Sequence, residues 1–192
     1  MRARAIALRS FIALALISAA PLQAEMDNGA ADAQAAIGRA QEAAGRQDCA
    51  GVLAALDPIV PGLAEGARRG IVQRMRLICL GPEGRTADLS LVHRELAQTM
   101  PRDGLVKAFG ALIAADESRF ADAAEQIAVL ADTSPEALSI LTGASVRAIS
   151  MRLEEDKARE ARDRMLIALA RADWEPADIP ELRTGIAEGA IG

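Results

Sequence analysis

Apolar residues recur along this chain at the spacing of one face of an α-helix. Phe120, Ala123, Ile127 and Leu130 fall at i, i+3, i+7 and i+10, which aligns four side chains on a single helical stripe. The same intervals return at Cys49, Val52, Leu56 and Ile59, at Leu89, Val92, Leu96 and Thr99 (or Met100), and at Ala158, Ala161, Met165 and Ala168. The four stripes begin 40, 31 and 38 residues apart in chain order. A recurrence near that period predicts an all-α chain of stacked antiparallel helical hairpins, an α-solenoid wound as a right-handed superhelix, with a non-repetitive helical bundle as the alternative. No strand pattern competes with it, since Ile71-Val72 is short and sits inside a helical period.

Turn residues divide these stripes into elements. A first helix carrying Ile37 ends near Gly45, and Asp48 is placed to cap a short second helix that Asp57-Pro58 and Pro61-Gly62 close. A third is predicted over 63–80, with Ile71, Val72, Met75, Ile78 and Cys79 on one broad face, and Gly81-Pro82-Glu83-Gly84 stops it. A fourth runs from Thr86 to Met100, and a fifth over 103–115 holds Leu105, Phe109 and Leu112 in register. After the Phe120 helix, Ser134 reads as a cap and Pro135 as the first residue of a seventh helix marked by Leu138, Leu141, Ile149 and Leu153. An eighth, 155–172, opens on Glu154-Glu155-Asp156, acids that suit a helix start, and sets Glu155 before Arg159 and Glu160 before Arg164 at i, i+4. Residues 178–190 read as a capping helix.

The unit around Phe120 resembles the tetratricopeptide-repeat family. In the second helix of that family's repeat, small or apolar residues recur ahead of a proline, as Phe120, Ala123, Ile127, Leu130 and Pro135 do here. Ala111 and Ala114 take the small positions of the preceding helix, although the family's aromatic and glycine signature residues are absent there, and Ala161, Met165 and Ala168 echo the pattern downstream. The resemblance extends over residues 30–173 as four helical hairpins. It implies a single tetratricopeptide-like domain over 25–192, in which the first helix of each pair lines a concave groove.

The N-terminus adds a destination. Arg2, Arg4 and Arg9 precede an apolar segment, 11–20, and Leu22-Gln23-Ala24 places a small residue before Glu25. That order predicts a signal peptide over 1–24, removed on export to the periplasm. The apolar segment falls far short of the ~20 residues a membrane span needs, and no cysteine near the cut would carry a lipid. Removing three arginines and no acid leaves 19 basic residues against 27 acidic ones, a formal charge of −8. A nucleic-acid binder would show a clustered basic surplus instead. After residue 24 the aromatics are Phe109, Phe120 and Trp174 alone, too few to make a stacking platform for bases.

Two cysteines in an exported chain suggest a bridge. Cys49 opens the second helix and Cys79 closes the third, so antiparallel packing of these neighbours brings the two thiols together; two buried free thiols are the alternative. His93 is the only histidine and stands beside the Leu89–Leu96 stripe, with neither a nucleophile motif nor a second metal-ligand position near it in sequence. No cofactor motif is present. Arg68, Arg69, Arg74 and Arg76 lie in the third helix with no acid between Gly66 and Pro82, and Arg69, Gln73 and Arg76 share a face about opposite Val72, Met75 and Cys79. The family resemblance implies that such a face clamps an acidic or C-terminal peptide group, whereas a solvated face answering acids on neighbouring helices is the plainer reading. On the first reading, replacing Arg69 and Arg76 together removes partner binding and leaves melting nearly unchanged. The expected function is a non-catalytic scaffold for a protein or peptide partner, possessing no catalytic or metal residues. The alternatives are an enzyme or accessory subunit using acids such as Glu95 or Asp116, and a module for apolar ligands or unfolded clients.

Overall fold

The computed structural model describes residues 28–153 and 156–174. The expected signal peptide, the expected capping helix over 178–190 and Glu155 lie outside the described residues. Among those residues the chain is all-helical and has no strand. Its α-helices are α1 (Asn28–Gly45), α2 (Cys49–Leu56), α3 (Ala67–Leu80), α4 (Thr86–Thr99), α5 (Gly104–Asp116), α6 (Phe120–Thr133), α7 (Gly143–Arg152) and α8 (Asp156–Arg171). They group into two compact units that divide after Met100.

In the first unit α1, α2, α3 and α4 pack consecutively, each on the next. Asp48 caps α2 as expected, its carboxylate accepting from the Gly51 amide at 2.8 Å. α3 begins four residues later than expected. Val60–Gly62 forms a 3-10 turn instead, and Gly66 adopts φ 137°, a backbone conformation that a residue with a Cβ rarely takes. The buried face of α3 also differs from the expected one. Val72, Met75 and Cys79 are buried, but so are Gln73, Leu77 and Leu80, while Ile71 is 39% exposed.

The Cys49 and Cys79 sulfurs lie at disulfide distance, with Cα atoms 4.9 Å apart, and both residues are buried. The bridge closes a loop of sequence separation 30, which in the chain-entropy model stabilises the fold by roughly 3–4 kcal/mol. That figure is large for this unit. A single core in a domain below about 70–80 residues rarely supplies more than 3–5 kcal/mol by itself.

The second unit is built on alanine. Ala108, Ala111 and Ala114 of α5 and Ala123 and Ala124 of α6 are fully buried, and these small side chains let the two helices approach closely. Ile127, Leu130, Val146, Ile149, Met165 and Leu169 fill the remaining core. The expected seventh helix is split in two. Pro135–Ile140 forms a 3-10 helix, and α7 starts afresh where Thr142 and Ser145 make a reciprocal capping box. Ser134, expected to cap, makes no side-chain capping bond and is buried against the start of α5, where a Cβ on Gly104 would stand 2.9 Å from the Cβ atoms of both Ser134 and Ala137. α8 lies along α6 rather than along α7 as a hairpin requires. Arg164, expected to pair with Glu160, donates to Glu125 of α6 at 2.7 Å, and the Trp174 indole N–H donates to the Leu138 carbonyl at 3.1 Å. The first bond ties α8 to α6, and the second ties the segment after α8 to the 3-10 helix Pro135–Ile140.

Candidate functional site

The expected partner face, Arg69, Gln73 and Arg76, is assembled on α3, but its polar atoms are bound within the first unit. Positions 69, 73 and 76 share one side of the helix by their spacing, and here that side meets α4 and the 57–63 connection. Arg69 donates through Nε and Nη2 to the two carboxylate oxygens of Glu95, and through Nη1 to the carbonyls of Val60 (3.2 Å) and Leu63 (3.1 Å). The guanidinium thereby satisfies two loop carbonyls and one acid together, a use of its planar fork that lysine lacks.

Gln73 continues the chain of bonds. Its amide nitrogen donates to Glu95 Oε2 at 2.7 Å, and its amide oxygen accepts from Arg76 Nη1 at 2.7 Å. Only 2% of Gln73 is exposed, so it has no open side on which to meet a partner. Arg76 then donates through Nε to Asp57 Oδ1 at 2.8 Å, and Arg85, just before α4, donates to Asp57 Oδ2 and also to Asp88 Oδ2 at 2.8 Å. Asp57 terminates α2. An acid there opposes the helix dipole, and the two guanidiniums offset that cost.

The network balances three arginines against three carboxylates. Its titration follows the geometry. At Glu95 the hydrogen bond from Arg69, aided by Gln73, holds the carboxyl below its ordinary range despite burial. At Asp57 burial is the largest single influence and pushes the carboxyl up, but the hydrogen bonds and charges of Arg85 and Arg76 together bring it below the ordinary range. Both groups are therefore ionised near neutrality and committed as acceptors. A general acid or base works best with a pKa near the operating pH, and neither group has one.

The residues missing from the sequence-based expectation are Asp57, Arg85 and Asp88; Glu95 was considered only as an acid–base group. Sequence offers one local hint, Arg85 three positions before Asp88 at a helix start. His93 is half-buried on α4. Among the described residues no group of three or more His, Cys, Asp or Glu is arranged to hold a metal ion, and no helix is long and apolar enough to cross a membrane. A hollow of about 430 Å³ opens beside α1 and α2, where Arg39, Arg46, Glu42 and Asp48 surround Ala54 and Ile59. Two charges of each sign give it no marked preference for an ion. Compared with protein-family models, curated proteins and solved structures, the chain finds no match.

Proposed function

We propose that this chain is an exported, non-catalytic helical-repeat scaffold that binds a protein partner in the cell envelope. The observation that carries the reading is the packing of α8 on α6, tied by the Arg164–Glu125 bond at an offset of 39 residues. Equivalent helices of successive repeats stack in this way, and the offset agrees with the 38-residue recurrence of the Phe120 stripe at Ala158. The bridged cysteines suit an oxidising compartment, and the leader-like residues 1–24 suit delivery to it. The state of Glu95 also favours a structural role for the acid named in the enzyme alternative, since its carboxylate is held by Arg69 and Gln73.

The test is chemical crosslinking in cells producing the full chain with a C-terminal tag, followed by capture from the envelope fraction and mass spectrometry. The proposal expects a captured chain that begins at Glu25 and carries one or a few envelope proteins in near-stoichiometric amount. A chain recovered from the cytosol with its leader intact, or recovered from the envelope without any crosslinked protein, would contradict it.

A further inference from the structure

We propose that the Cys49–Cys79 pair is a redox gate for the first unit alone: oxidation closes α1–α4 into their fold, and reduction opens them while α5–α8 remain folded. α2 has eight residues, well below the ~12–15 at which an isolated helix begins to persist in water. It is held from outside, by packing of Val52, Leu53 and Leu56 against its neighbours, by the bridge at its first residue and by Arg76 and Arg85 on Asp57 just after its last. Without the bridge the folded-to-unfolded ratio of this unit drops by roughly 10²- to 10³-fold. A small core has little reserve against a loss of that size. The second unit has no cysteine, so nothing in it responds to the same reagent.

Burial determines when the gate is set. Cys49 is 5% exposed and Cys79 is 3% exposed, so exchange takes place while α1–α4 are open and is blocked once they close. In the forward step the thiolate of one cysteine attacks the disulfide of a thiol–disulfide oxidant, and the second thiolate displaces the oxidant from the mixed disulfide. The protein gains one S–S bond, and the oxidant leaves as a dithiol with the two electrons and two protons. If the chain is exported as proposed above, it crosses the membrane reduced with its first half open and closes it on arrival. The gate itself is a property of the purified protein and does not depend on that reading.

Hydrogen exchange of the full chain, measured by mass spectrometry, tests the gate. One sample is oxidised; the other is reduced with dithiothreitol in denaturant and refolded with the reductant present. Amides of α2, α3 and α4 should exchange about 10²-fold faster or more in the reduced protein, while those of α5, α6 and α8 stay within roughly threefold. Unchanged exchange in α2–α4 would overturn the gate, and equal acceleration in α5–α8 would overturn its restriction to one unit. The Cys49→Ala/Cys79→Ala variant should behave like the reduced protein without reductant; if it exchanges like the oxidised protein, the proposal also fails. Should that variant not accumulate, the reduced natural chain still decides the question.

Discussion

In α1–α4 an apolar core that includes Ile37, Leu56, Leu77, Leu80 and Leu96 is supplemented by one buried bridge and one chain of hydrogen bonds from Asp57 through Arg76, Gln73 and Glu95 to Arg69. In α5–α8 the core has no bridge, and five fully buried alanines of two helices pack with branched side chains around them. The two halves carry similar amounts of helix, 18, 8, 14 and 14 residues against 13, 14, 10 and 16. Similar helix content and two apolar cores thus conceal a difference in covalent and polar ties. Specific bonds respond to reductant, acid and charge-removing substitutions. Packed alanine and leucine respond to changes of volume.

The aromatics allow the halves to be followed separately. Residues 28–100 contain none, and Trp174 is the only tryptophan, so its fluorescence reports α5–α8 while the far-ultraviolet helix signal reports both halves. The largest expected effect is Leu130→Ala, which removes a fully buried side chain from the second core and should cost about 2–5 kcal/mol. The Trp174 transition in urea should move to lower concentration by the corresponding amount, leaving a helical component that unfolds where it did before. A single shifted transition in both signals would mean that the halves unfold as one.

Acid should have the opposite selectivity. Asp57 and Glu95 have folded-state values below their ordinary 3.8 and 4.5. A lowered carboxylate contributes stability that is complete above its ordinary pKa and is lost as pH falls through the lowered one. Titration from pH 5 downward should therefore remove helix from α1–α4 before the Trp174 signal changes. Glu95→Gln, which keeps an acceptor but not the charge, should reduce the acid sensitivity of that first step and lower the stability at pH 7 by about 1 kcal/mol. Simultaneous loss of both signals would break the comparison.

Much of this division was legible from residue order alone. Stripes of period 3.6 identify α4, α6 and α8, Asp48 announces its helix through a side chain that bonds the next turn's amide, and the cysteine pairing follows from antiparallel packing of consecutive helices. The polar network was not legible, because Asp57 meets partners 19 and 28 residues away and Arg69 meets one 26 residues away. Charges that pair across helices carry no period, so the sequence allows acids on neighbouring helices to answer the arginines of α3 without naming which ones. The split at Pro135–Ile140 was partly readable: Thr142 and Ser145 stand at the spacing of a cap, which implies a new start there. The placement of α8 on α6 depends on which surface is left open after α7, and that is a tertiary property.

Arg69, Gln73 and Arg76 tie α3 to α4 and to the 57–63 connection. The most direct measurement is the thermal midpoint of α1–α4 in the Arg69→Ala/Arg76→Ala variant at pH 7, followed by the helix signal and referred to Trp174 as an internal standard. Removing both guanidiniums leaves the buried Gln73 amide oxygen without its donor and the Glu95 carboxylate with Gln73 alone, at a cost of about 2 kcal/mol, or on the order of 10 °C for a unit of this size. That loss is expected in the first transition and none in the Trp174 transition. An unchanged first transition, accompanied by loss of the crosslinked partner, would contradict it and return these three residues to the role of a docking face.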